Sequence, residues 1–203
     1  MSRERHVVML LIALAMVAAL SLAYLSWMGQ EDRSVPLQYE VSQREGRTVA
    51  TNALTGKVVY ESGSASEVLQ AVFRSLPGGG TVLVRSGEYD LDENVELSEN
   101  TALSGEGVQS TVFTSENKAM LVVKDRSGVT MSDFHLVGST AIYVAADRTD
   151  VSGVQVRNVE ATVTKDVGGA FTLAPNGRTI SKVSFVDCHA LGGEAYGFLN
   201  IGS

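Results

Sequence analysis

Cysteine is almost missing from this chain. Cys188 is the single one in 203 residues, so no intramolecular disulfide can brace the fold. It falls on an inward position of a strand pattern, which makes it a buried, inert thiol rather than a nucleophile. Basic residues are also few: 16 against 23 acidic ones, a formal charge of −7. Setting aside Arg3, Glu4 and Arg5 leaves 14 basic and 22 acidic residues, a charge of −8. Binding a phosphate backbone needs a basic face, so nucleic acid is excluded as a partner. The acidic surface serves solubility and is compatible with cation binding. Glycine is missing from the first 28 residues, and all twenty glycines follow, as suits a turn-rich β protein. The apolar share of 44% and the charged share of 19% are ordinary, and the length fits one main domain with appendages.

The first 28 residues stand apart. Arg3 and Arg5 precede residues 7–27, a run of 21 positions without a charge. At about 1.5 Å per residue, a helix of that length crosses a bilayer. Tyr24 and Trp27 sit where interfacial aromatics belong, and the positive end stays inside, so the rest faces out. A cleaved signal peptide is the rival reading, with Ser21, Leu22 and Ala23 as a small-x-small site. Both readings export the body of the protein, to the cell surface on an anchor or as a secreted form. Residues 29–63 read as a stalk and a small β preface. In it, residues 37–41 alternate, 57–61 are β-rich, and 52–56 make a turn between them.

From residue 64 the signals sharpen. Ser64 to Glu67 is a capping box, and Val68, Leu69, Val72 and Phe73 recur at helical spacing. Pro77 and Gly78, Gly79 and Gly80 end that helix. A strand over 81–85, a turn over 86–89 and a first rung over 95–105 follow. Beyond it, one unit recurs in two frames. The first starts at Ala119, Ala141, Ala170 and Ala195, at steps of 22, 29 and 25 residues. The second starts at Val129, Val154 and Val183, at steps of 25 and 29. Strands that hold register while turns change length indicate a stacked parallel β-helix rather than a helical repeat. The expected inward columns are Met120/Ile142/Phe171/Tyr196, Val129/Val154/Val183 and Met131/Val156/Phe185. A polar column, Asp133/Asn158/Asp187, follows the second frame. Asp and Asn tolerate the left-handed backbone of a tight bend and hydrogen-bond along a stack.

This Asn/Asp ladder, with the helix, Pro-Gly turn, strand and Leu103-Ser104-Gly105-Glu106-Gly107 run before it, resembles the right-handed parallel β-helix proteins of the pectate-lyase-like superfamily. The resemblance covers about residue 64 to the end and concerns fold more than activity. It implies an all-β, right-handed, single-stranded parallel β-helix, with a cap over 64–94 and rungs over 95–203. The transmembrane or signal helix of residues 1–28 and the 29–63 preface stand before it. The pattern stops at Ser203 within a strand, so an incomplete stack is expected, met at its open end by further rungs, a partner or an oligomer.

Enzymes of that superfamily cleave polysaccharide with acidic residues on the outer face of the first strand sheet. Lyases use Asp ligands for Ca²⁺ and a basic proton acceptor, and hydrolases use paired carboxylates. The outward residues expected here are Leu121, Val123, Tyr143, Ala145, Thr172, Ala174, Gly197 and Leu199, none of them a ligand or a base. Other polar rows remain. Asp125, Asp147 and Asn176, with Arg126 and Arg148 beside them, are a cation or sugar row or a second turn ladder. Asp150 and Asp166 lie in the longest turns. His135, Glu160 and His189 each follow the ladder residue by two and form one outward column, a metal row or a polar cross-strand column. Two functions stand open: a polysaccharide lyase or glycosidase completed by more rungs, and a non-catalytic surface, adhesion or carbohydrate-binding protein.

Overall fold

A computed structural model describes residues 36–116, 119–164, 169–192 and 196–201. It is mostly β, with one helix among the described residues, and its strands form a parallel β-solenoid of about four turns. The expected membrane span, residues 7–27, lies outside the described residues. Among those described, no helix is long and apolar enough to cross a membrane.

Each turn has three sides. Side I stacks β6 (Val95–Glu96), β9 (Ala119–Lys124), β11 (Thr140–Ala145), β14 (Gly169–Ala174) and β18 (Tyr196–Asn200). Side II stacks β4 (Gly80–Val84), β7 (Thr101–Ser104), the first halves of β10 (Thr130–Gly138) and β13 (Gln155–Val163), and β16 (Ser184–Val186). Side III stacks β5 (Gly87–Asp90), β8 (Thr111–Thr114), the second halves of β10 and β13, and β17 (His189–Leu191). A short pair, β12 (Val151–Ser152) and β15 (Ile180–Ser181), joins two of the longer turns.

Asp133 and Asn158 make the bend inside β10 and β13, and Asp187 makes it between β16 and β17, all at positive φ (64°, 47° and 53°). Only the left-handed region turns the strand this sharply, and Asp and Asn enter it at least cost among residues with a Cβ. Asn158 Nδ2 donates to Asp133 Oδ1 at 2.8 Å, so the ladder is a bonded one. Gly105 holds the same place one turn earlier. A Cβ there would lie 2.3 Å from the Asp133 carbonyl oxygen, so the close approach of two rungs requires glycine.

The side II columns match the expectation: Met131 pairs with Val156, and Val156 with Phe185. Side I does not. Leu121, not Met120, faces Ile142, and Phe198, not Tyr196, faces Phe171. The steps become 21, 29 and 27, so Leu121 and Val123 point into the core, where both are fully buried. A slip of one residue reverses every side chain of a strand, and two apolar neighbours at each position left the sequence unable to choose.

The cap also ends earlier than its expected boundary at residue 94. Strands β4 and β5 already pair in parallel with β7 and β8, so the first turn starts at Gly80 rather than at residue 95. The turn expected over residues 86–89 gives way to strand β5 from Gly87 onward. The preface is a three-stranded antiparallel meander of β1 (Leu37–Arg44), β2 (Arg47–Asn52) and β3 (Val58–Ser62). It continues side II, because β1 pairs in parallel with β4. Helix α1 (Ala65–Arg74) buries Val68, Leu69, Val72 and Phe73. Ser64 Oγ accepts from the Glu67 N–H at 3.2 Å. The Glu67 carboxylate does not return to the Ser64 N–H but accepts from the Ser62 hydroxyl at 2.6 Å, so half of the capping box is rerouted.

Candidate functional site

The His135–Glu160–His189 row lies in register on the outside of side III, as expected. Glu88 and Val112 continue the column toward the cap. His135 Nε2 stands 2.8 Å from Thr162 Oγ1 and 3.6 Å from Glu160 Oε1. A hydroxyl, an imidazole and a carboxylate are the ingredients of a nucleophilic triad. There, however, the acid holds one ring nitrogen and the nucleophile the other. Here both groups address Nε2, so the carboxylate does not orient the imidazole toward the hydroxyl. His189 is exposed at the end of the row. Among the described residues, no group of three or more His, Cys, Asp or Glu is placed to hold a metal ion. The three residues share a column but do not converge.

Asp125, Asp147 and Asn176 form a second bonded ladder. Asn176 Nδ2 donates to Asp147 Oδ1 at 2.6 Å, and the Lys124 ammonium holds the other oxygen at 2.5 Å. Asp125 Oδ1 accepts three backbone N–H groups of the next turn, from Asp147 and Arg148 at 2.8 Å and from Thr149 at 3.2 Å. Its side chain is 4% exposed. These donors, led by the Arg148 N–H, hold its carboxyl well below the usual range. Lys124 and then Asn176 lower Asp147 as well. Each of these carboxylate oxygens is already bonded to the chain's own amides, the Arg148 guanidinium or the Lys124 ammonium, an arrangement that fits a turn ladder. Asp150 likewise accepts the Thr179 N–H at 2.9 Å. Asp166 lies outside the described residues.

The corrected register changes the outer face of side I. Its outward column runs Glu96, Val122, Tyr143, Thr172 and Leu199, with Lys124, Ala145 and Ala174 beside it. Among the described residues this face carries one carboxylate and one ammonium, and the ammonium is committed to Asp147. Among those residues it has no second carboxylate to complete an acid/base pair.

Two polar constellations escaped the sequence. Arg85 bridges Glu40 at 2.6 Å and Glu106 at 2.7 Å. The other Glu106 oxygen accepts the Ser86 N–H at 2.7 Å and the Ser86 hydroxyl at 2.6 Å. The Ser86 hydroxyl and then Arg85 bring the Glu106 carboxyl down to about 2. Tyr89, under the same corner, donates its hydroxyl to the Arg85 carbonyl, and burial pushes it up to about 12. The cluster ties β1, the turn after β4 and the turn after β7 together. The signal that would have found it is the parallel register of β1 on β4, which no local pattern encodes.

The second constellation lines a polar groove of about 610 Å³ beside α1. There Gln70 exchanges hydrogen bonds with the Glu96 backbone at 3.2 and 2.9 Å, and Asp92 accepts the Ser64 hydroxyl at 2.7 Å. These contacts bolt the helix to the first turn. Cys188 is half-buried. Its thiol donates toward the carbonyls of Val156 and Val186 at 3.5 and 3.4 Å, and burial pushes its pKa up, as expected for an inert thiol.

No protein-family profile matches the chain, and no curated protein matches it. Among solved structures, a chain described as Geobacillus virus E2 ORF18 is similar at a TM-score of 0.39 and 12% identity. The alignment covers 71% of this chain and 49% of that one, so this chain spans about half its length.

Proposed function

We propose that this chain is an exported, non-catalytic module of the right-handed, pectate-lyase-like β-helix type, a rigid cell-surface rod with a carbohydrate-binding or adhesive role. The observation that carries the reading is the outer face of side I. Catalytic members of the resembled superfamily keep their acids and bases there. Among the described residues the face places Val122, Tyr143, Ala145, Thr172, Ala174 and Leu199 there, most of them buried, and Lys124, which is already paired. The bonded ladders add support, since two hydrogen-bonded rows running along the stack stiffen it. A charge of −7 disfavours polyanionic polysaccharide and points to a neutral or amino-sugar polymer.

The test pairs activity with binding. The purified full chain is incubated with polygalacturonate and with neutral polysaccharides, with Ca²⁺ and with chelator, while unsaturated uronates and new reducing ends are followed. The same protein is applied to a glycan array. No product in any arm and chelator-insensitive binding to a neutral or amino-sugar glycan is the expected result. Turnover of any polymer sinks the reading.

A further inference from the structure

The groove beside α1 separates its charges. Residues 92–98 run alongside the helix and are fastened to it at four levels. Asp92 bonds to Ser64, the Glu93 backbone to Ser66, the Glu96 backbone to Gln70, and the Ser98 hydroxyl to the Phe73 carbonyl at 2.6 Å. The Asn100 N–H donates to the Ser127 carbonyl at 2.9 Å, which brings the turn holding Arg126 to the Ser98 end. Glu67 and Asp92 therefore line one end of the groove, and Arg74 and Arg126 line the other. Glu67 and Arg74 are seven residues apart on α1, which is two turns along one helix face and about 10 Å of rise.

The two ends do not neutralise each other. Neither Arg74 nor Arg126 forms an ion pair among the described residues, and Arg126 Nη1 donates to the Asp125 carbonyl at 3.2 Å. Glu67 and Asp92 accept the Ser62 and Ser64 hydroxyls and form no ion pair among the described residues either. A separation of about 10 Å exceeds the Debye length of about 8 Å at physiological salt, so each end keeps its own sign.

A ligand that satisfies both ends carries a cation and a carboxylate in the opposite order. Two guanidiniums suit a planar carboxylate, and two carboxylates suit an ammonium. Between them Glu96 adds an exposed carboxylate that can accept hydroxyls. Among the described residues no aromatic ring lines the groove, so a sugar there is held by its charges and hydroxyls rather than by stacking. We propose that this groove binds an amphoteric disaccharide unit, with a hexosamine ammonium at Glu67 and Asp92 and a hexuronate carboxylate at Arg74 and Arg126. A polymer of such units has no net charge, so the chain's −7 does not repel it. The inference rests on the carbohydrate reading above and gives it a site and a sugar class.

The experiment titrates the purified full chain, by calorimetry in mild detergent, with N-deacetylated hyaluronan oligosaccharides, in which free hexosamine amines alternate with glucuronates. The same oligosaccharides re-acetylated on nitrogen, or reduced at the carboxyl, are the controls. The amphoteric form should bind, and each control should bind about tenfold more weakly or worse. Arg74 and Arg126 are exposed, so Arg74→Gln with Arg126→Gln should leave the thermal midpoint unchanged. The double variant should lose about tenfold for the amphoteric form and match the wild type on the carboxyl-reduced one. Equal binding of all three oligosaccharides overturns the proposal, as does a double variant that binds the amphoteric form like the wild type. If neutral glycans on the array bind while the amphoteric form does not, the groove assignment falls and the carbohydrate reading stands. If no glycan binds at all, both fall. Binding of an alternating Lys–Asp peptide but of no glycan overturns it in favour of a protein partner.

Discussion

Two aromatic groups occupy opposite ends of the core. Near the cap, Tyr89, Phe113 and Phe134 contact one another at 5.8 and 5.3 Å between centroids, and all three are fully buried. Near the open end, Phe171, Phe185 and Phe198 lie at 4.9 to 5.2 Å. Phe171 is buried, whereas Phe198 is 54% exposed. The packing within each group is alike, and what differs is the lid. At the cap, helix α1 lays Leu69, Val72 and Phe73 over the end of the stack, and the Glu40–Arg85–Glu106 cluster locks the meander to it. A solenoid has no intrinsic way to end, because each turn completes the one before it, so its last layer is only as dry as whatever covers it.

The difference can be tested where it should be largest. Phe73→Ala in the cap should cost about 3–5 kcal/mol, the range for a buried Phe, whereas Phe198→Ala should cost about 1 kcal/mol. Urea denaturation of both variants decides it, and equal losses would mean that Phe198 is covered. The ladder comes next. Asn158→Leu removes the bond to Asp133 and puts a branched side chain into a left-handed bend, for about 2 kcal/mol. An unchanged thermal midpoint would remove the ladder from the account.

Acid should act on the capped and middle turns. The folded carboxyl of Glu106 sits at about 2, below its ordinary value of 4.5, and those of Asp125 and Asp147 are also lowered. A depressed carboxylate stabilises the fold above its unfolded pKa and loses that contribution as the pH falls through the folded value. Thermal midpoints should therefore be flat near neutrality and fall from about pH 4.5 downward, with Glu106→Gln flattening that slope. The smallest effect is expected on side III. Glu160→Gln, at a 3.6 Å contact with His135 whose members are both partly exposed, should shift stability by less than about 0.5 kcal/mol. A larger loss would give the His135 row a role that its geometry does not.

Much of this was legible because a stacked fold writes its geometry into one dimension. The side II columns and the Asp133/Asn158/Asp187 ladder could be read because inward Val, Met and Phe alternate with polar neighbours and the bend admits few residue types. Helix α1 was legible from Ser64 and the spacing of Val68, Leu69, Val72 and Phe73. Side I was misread by one or two residues, because Met120 beside Leu121 and Tyr196 near Phe198 satisfy the core equally well on paper. Strand β5 opens on Gly87 and carries the local signal of a turn, and only its pairing with β8 makes it a strand. Of the polar rows, the sequence aligned His135, Glu160 and His189 correctly, but whether three aligned groups converge depends on side-chain directions that alignment does not contain.

The sequence by itself determined the parallel stack, its bends and its capping helix, since each follows from alternation, spacing and the backbone tolerance of Asp, Asn and Gly. Tertiary structure alone decided the register of side I, the attachment of the β1–β3 meander and the Arg85 cluster. It also decided that Phe198 is left half in water. Each of these is a contact between residues far apart in the chain, and the free energy that selects among such contacts comes from burying surfaces that meet only after the chain has folded.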